Sequence, residues 1–316
     1  MKARQVSSFK RFWLTLLFLT MAALAAACAP SRPAADASGP IKVTATIGMI
    51  SDIVKQVGGE HVEVTGLMKS GVDPHLYKAS QGDVKKLEQA QIIFYNGLHL
   101  EGKMVEIFEK MAAEKPTVAV SKTIPESELR GWEDGEAAHD PHIWFNVKHW
   151  MSATEVVRDE LSKADPEHAD AYRSSAEAYL KQLQELDTYA MEQIASIPEQ
   201  QRVLVTAHDA FGYFGDRYHI KVMGLQGIST ASEYGSKDVS DLREFLVSQQ
   251  IKAVFVESSV PKKSIEAVIE GAKKQGHEVK IGGELFSDAM GKEGTAEGTY
   301  IGMVRHNVDT IVNALK

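Results

Sequence analysis

Four side chains in this sequence have the chemistry of a shell for a divalent metal: His75, His142, His208 and Asp288. Three imidazoles and one carboxylate suit a borderline ion. Imidazole favours zinc and the late first-row metals, and carboxylate oxygen adds affinity for manganese. Each of the four stands in a loop or just after a β-branched run. His208 is the clearest instance. Val203-Leu204-Val205-Thr206 reads as a buried parallel strand, and His208-Asp209 follows at its carboxyl end, where open α/β sheets bind ligands. Spacing alone leaves a plainer reading open. The chain has no HExxH and no CxxC, and any one of these histidines, taken singly, is more often a structural or surface residue than a ligand. His99 and His139 are loop residues near the set and share the ambiguity. His61, His149, His168, His219, His277 and His306 lie on expected strands or helices without such surroundings.

The elements that must position these residues alternate in type. Strands are expected at 41–48, 61–67, 91–95 and 117–120, with helices at 49–58, 80–90 and 101–114 between them. Ser80, with Asp83 three residues on, is a candidate helix cap. A polar loop spans 125–140, and the pattern turns helical from Val147. The longest helical segment opens at Asp165-Pro166 and runs to about Ile194, with Leu180, Leu183, Leu186 and Ala190 on one face. About 30 helical residues extend roughly 45 Å, enough for a strut between two halves. The second half repeats the grammar. Strands are expected at 203–206, 219–223, 251–257 and 278–282, and helices after His208, at 240–250, at 262–275 and beyond 295. Strand–helix alternation of this kind predicts α/β lobes with parallel-type sheets.

Composition narrows the function classes. The chain has 316 residues, 44% hydrophobic and 25% charged, long enough for two domains with their own cores. The formal charge is −8, and the four basic residues among the first 27, unaccompanied by any acid, leave −12 for the remainder. Nucleic acid requires a basic face, so it is an unsuitable partner. Lys2, Arg4, Lys10 and Arg11 precede an apolar run from Phe12 to Ala27, the layout of a secretory signal and too short for a membrane span. Cys28 is the sole cysteine, so no internal disulfide can form. Its place after Ala25-Ala26-Ala27 resembles the lipobox of bacterial lipoproteins, although Leu24 sits one position earlier than the preferred leucine. A plain secretory signal and an uncleaved anchor share most of this layout. The expectation is a signal peptide over 1–27, a lipidated Cys28, and a Pro/Ala/Ser tether over 28–40 holding a domain outside the cell membrane.

Six segments occur together in order: GVDPHLYKAS around His75, DPHIWFNV around His142, VTAHDAFGYF around His208, GLQGIST from Gly224, FVESS from Phe255 and GGELFSDAMG around Asp288. In this combination the chain resembles the metal-binding lipoproteins of bacterial manganese/zinc ABC importers, the cluster A-I (cluster 9) solute-binding proteins. The likeness runs from the signal to the C-terminus and is strongest to the manganese lipoproteins of bacilli. The resemblance implies two (β/α) lobes, here 41–164 and 198–316, joined by one long helix within 165–197. It implies a single metal buried between them, with ligands at His75, His142, His208 and Asp288. A membrane permease would be the partner, and the chain itself a monomer.

The choice of ion turns on His208, where many manganese members carry glutamate. Three histidines and one carboxylate can form a tetrahedral site that favours zinc; a bidentate Asp288 would raise coordination to five, which manganese accepts more readily. The His-rich acidic loop of many zinc-specific members is missing, since Glu133 to Asp140 contains only His139. Manganese is therefore favoured over zinc, with iron below both. Asp209 and Asn146 are candidates to orient the imidazoles or else caps and surface residues. Trp144 and Phe211 read as site walls or core, and Glu257, which ends a strand facing the cleft, reads as a support for the ligands or a structural residue and ranks below the four. A secreted metallohydrolase would need an open coordination position and a general base, for which no motif is present. An adhesin or structural lipoprotein is the third alternative.

Overall fold

The computed structural model describes residues 39–132 and 138–316. The signal peptide, Cys28 and most of the tether lie outside the described residues. Within them, two four-stranded parallel sheets have strand orders β2-β1-β3-β4 and β6-β5-β7-β8. The first sheet contains β1 (Ile41–Ala45), β2 (Val62–Gly66), β3 (Ile92–Tyr95) and β4 (Thr117–Ala119), and the second β5 (Val203–His208), β6 (Lys221–Gln226), β7 (Ala253–Glu257) and β8 (Lys280–Leu285). The two orders are the same permutation of chain order. Each sheet therefore has a switch point between its first and third strands, the place where open α/β sheets form a ligand crevice. The halves share no visible sequence repeat, so the common topology comes from the shared βα grammar and right-handed crossovers.

Helices α1 (Gly48–Gly58), α2 (Gln81–Gln89) and α3 (Val105–Ala112) belong with the first sheet, and α6 (Gly212–Tyr218), α7 (Ser236–Ser248) and α8 (Lys263–Lys274) with the second. Ser80 caps α2 in a full capping box: its hydroxyl accepts from the Asp83 amide, and the Asp83 carboxylate accepts from the Ser80 amide. Between the lobes run α4 (Val147–Ala164) and α5 (Ala169–Ala195). Pro166 opens a 3-10 turn ahead of α5, so the long helix begins three residues later than its proline. Its buried stripe is Tyr172, Ala176, Tyr179, Leu183, Leu186, Ala190 and Ile194. Leu180 stands only half-buried at the edge of the stripe, because Tyr179 fills the inward position. This face packs on α4, on α1 of the first lobe and on the C-terminal helix α9 (Tyr300–Leu315). A strut held from both sides cannot bend without breaking packed contacts, which makes it a fixed frame for the two sheets.

Several elements begin or end away from their expected positions, for identifiable reasons. β6 runs through Gly224 to Gln226, and β8 through Gly282-Gly283 to Leu285. Glycines that read as strand ends are packing sites instead. A Cβ at Gly224 would lie 2.5 Å from the Asp209 amide, and one at Gly283 2.3 Å from the Thr310 methyl on α9. α7 begins at Ser236, ahead of the expected Ser240, because the Asp238 carboxylate accepts from the Gly235 amide at 2.7 Å. The segment ahead of α3 is a 3-10 turn over Gly102–Met104. Among the described residues, no helix is long and apolar enough to cross a membrane.

Candidate metal centre

The first two histidines are held by the same local device. Asp-Pro-His occurs at 73–75 and again at 140–142. In each copy the aspartate Oδ1 accepts the histidine backbone amide two residues on, at 2.9 Å. The central proline has no amide to compete and its φ is fixed, so the turn is stiff. The copies differ in the rest of their contacts. Asp140 Oδ1 also takes Nδ1–H of His142 at 2.8 Å, which directs the Nε2 lone pair inward. Asp73 Oδ2 accepts instead from Thr230 Oγ1 of the second lobe at 2.6 Å. The second turn is fastened to the first sheet by Asn96, at the end of β3, whose amide donates to the Pro141 carbonyl at 2.9 Å.

His208 ends β5, and Glu257 ends the neighbouring β7, so the two meet at the switch point of the second sheet. Glu257 Oε1 accepts the His208 amide at 2.8 Å, and its Oε2 lies 3.3 Å from Nδ1 of the ring. Nε2–H donates to the Ile228 carbonyl at 3.0 Å, leaving Nδ1 on the site side. Asp288 follows β8. The preceding carbonyl, of Ser287, accepts from the Trp144 indole at 3.0 Å, and the Trp144 carbonyl accepts from Tyr300 OH at 2.6 Å. Trp144 thus links the His142 segment to the Asp288 segment while its ring stands edge-on to His142.

The structure brings together all four expected residues. One donor atom from each of His75, His142, His208 and Asp288 lies within 4.8 Å of all the others, and every one is buried. The Nε2 atoms of His75 and His142 are 3.2 Å apart. Asp288 Oδ1 is 3.3 Å from His142 Nε2, and Oδ2 is 3.8 Å from His208 Nδ1 and 3.9 Å from His75 Nε2. Both Asp288 oxygens are buried without a hydrogen-bond partner among the described residues. A buried carboxylate held against three imidazoles by charge, without a well-formed hydrogen bond, fits a cation held among them.

Electrostatics point the same way. Burial pushes His75 down to about 3, against the pull of Asp288. Burial also opposes the charged forms of the other two rings but is outweighed. Asp140 and Asp288 lift His142 to about 8, and Asp288 and Glu257 lift His208 to about 10. Burial alone would raise Asp288; His208, His142 and His75 together hold it well below the usual carboxylate range.

Some supporting roles fall on other residues than expected. Asn146 caps α4, accepting from the Lys148 amide at 3.0 Å, and orients no imidazole. Asp209 is a largely buried carboxyl raised by burial and by Asp140, acting on the rings only through its charge. The orienting contacts come from Asp140, Glu257 and the Ile228 carbonyl. Phe211 stacks on Phe145 in the core. His139 lies outside the cluster beside Glu126, and His99 packs over Gly102. The repeated Asp-Pro-His was the available signal for Asp140; the strand-end position marked Glu257 as a supporting or structural residue, and strand order decides which ring it meets.

Comparison with known proteins bears on the same fold. The chain is 52% identical to the manganese-binding lipoprotein MntA of Bacillus subtilis (strain 168), over 95% of this chain and 97% of that one. It is 50% identical to the zinc-binding protein TroA of Treponema pallidum, over 90% and 92% respectively. The solved structure of periplasmic zinc-binding TroA superposes with a TM-score of 0.86, covering 88% of this chain and 99% of that chain. With residues 43–314 matching the family model described as zinc-uptake complex component A, periplasmic, this chain belongs to the ZnuA family.

Proposed function

We propose that this protein is an extracytoplasmic solute-binding lipoprotein that captures one divalent transition metal, manganese in preference, and delivers it to the permease of an ABC importer. The observation that carries the reading is the convergence of the buried Asp288 carboxylate and three buried imidazoles, one donor atom of each within 4.8 Å of the others. In this reading His75 and His142 bind through Nε2, His208 through Nδ1, and Asp288 through one or both oxygens. Four protein donors leave little room for the open position and general base of a metallohydrolase, so the ion is cargo rather than catalyst. Cys28 carries the lipid, 28–40 is the tether, and the monomer consists of lobes 41–164 and 198–316 around a link at 165–197.

Both Asp288 oxygens face the imidazole cluster, which suits the higher coordination number that manganese accepts, and the MntA relative is named for manganese. Zinc is the second reading, favoured by the three imidazoles and by the name of the TroA relative. The deciding experiment is metal analysis of protein purified from its native envelope, since overexpressed protein loads zinc by affinity alone. About one manganese per chain is expected; zinc in its place selects the second reading, and no stoichiometric metal rejects both. Mass spectrometry of the same sample reads out a diacylglyceryl group on Cys28.

A further inference from the structure

Arg130 is a charged residue that the metal shell does not account for. It lies opposite Asp140, whose amide donates to the Arg130 carbonyl at 2.9 Å beside the antiparallel Gly131–His139 bridge. Its guanidinium Nε is buried without a hydrogen-bond partner among the described residues and lies 3.6 Å from Asp140 Oδ2. The far end of the same group pairs with Asp216 on α6 of the second lobe. Its backbone amide donates to Tyr213 OH at 3.0 Å, and that hydroxyl donates to the Asp140 carbonyl at 3.0 Å. Gly212 completes the cradle. A Cβ there would lie 2.5 Å from Arg130 Nε and 2.9 Å from Asp140 Oδ2, so only glycine admits the guanidinium beside the carboxylate.

Resting on the metal-binding reading, we propose that Arg130 is a positioning residue for the ion: through Asp140 it fixes the His142 ring, and through Asp216 it fastens that turn to the helix that follows His208. Two facts favour this over a merely stabilising ion pair. The Arg130–Asp216 pair is solvent-facing, with Asp216 65% exposed, and pairs of that kind contribute little stability. Asp140, in contrast, is buried and spends its Oδ1 on both the amide and the ring of His142. Its orientation therefore depends on what holds Oδ2. A guanidinium is planar and reaches two carboxylates at once; an ammonium is a point charge and cannot reproduce the bridge.

The test uses the full chain, with cobalt(II) as a probe of coordination geometry and zinc for release. Arg130→Met should leave the metal-free melting temperature near that of wild type, speed zinc release into excess chelator by roughly tenfold, and move or weaken the cobalt ligand-field bands. Arg130→Lys should restore neither the release rate nor the bands. Release and bands unchanged in Arg130→Met would overturn the inference. Should that variant fail to fold, Asp216→Asn, which removes only the outer anchor, carries the same decision with a smaller shift in the same direction. Wild-type protein that develops no cobalt band defeats the metal-binding reading and this inference with it; a wild-type band with an unmoved variant defeats this inference alone.

Discussion

Replacing Asp288 by asparagine separates function from stability. Asp288 is the one acidic member of the cluster, and its oxygens sit 3.3 to 3.9 Å from the three ring nitrogens. With a doubly charged ion about 3 Å away and an effective dielectric of about 20, the gross attraction is about 11 kcal/mol. Most of that is offset by the hydration the ion gives up, and asparagine keeps one oxygen donor. A net loss of about 4 kcal/mol is expected, a factor of about a thousand in Kd. The metal-free protein should respond quite differently. Asp288 is the main group that keeps His208 charged, and it comes after Asp140 in keeping His142 charged. Once it is neutral, His142 still has Asp140 and His208 still has Glu257 as an acidic partner, so neither ring stands as an unpaired buried cation. The melting temperature without metal should therefore move by no more than about 4 °C. Chelator-competition titrations with manganese and zinc give the first quantity, and scanning calorimetry of chelator-treated protein the second. Binding within tenfold of wild type would remove Asp288 from the shell. A large fall in melting temperature would make it a structural residue.

Three further outcomes follow from the same geometry. His142 at about 8 and His208 at about 10 hold protons at pH 7 in the metal-free site, whereas the ion takes unprotonated nitrogen. Capture at pH 7 should release about two protons, so affinity falls as pH drops below about 10 and more steeply below about 8, and calorimetric heats differ between buffers of unlike ionisation enthalpy; identical heats would refute it. Metal at about 100 times Kd adds about 2.7 kcal/mol to the native state and should raise the melting temperature by roughly 5–10 °C. An unmoved transition would count against binding to the folded cluster. Gly224→Ala presses a methyl on the backbone of Asp209 directly after His208. It should cost about 1–3 kcal/mol of stability and also weaken metal binding; full affinity would show that the β5 end tolerates the shift.

Much of the fold was legible because its causes are local. β-branched runs marked the strands, and Ser80 with Asp83 marked a helix start. Reading failed where a glycine had two possible meanings. Gly224, Gly282 and Gly283 look like strand ends, and only the packing of Asp209, Phe255 and α9 against them shows why strands pass through. The same limit applied to Leu180, since which side of α5 faces inward depends on α1, α4 and α9 together.

The four cluster residues could be named from residue type, their position after strands and family likeness, because a metal shell demands particular donor chemistry and strand ends deliver it. The chain by itself also carried the charge balance and the repeated Asp-Pro-His turn, each a property of adjacent residues. Tertiary structure alone decided which atoms converge and what holds them. Glu257 reaches His208 only because β7 pairs with β5, 49 residues apart in sequence. Arg130 meets Asp216 across 86 residues and two lobes. Contacts of that range are set by strand order and helix packing, and no local pattern encodes them.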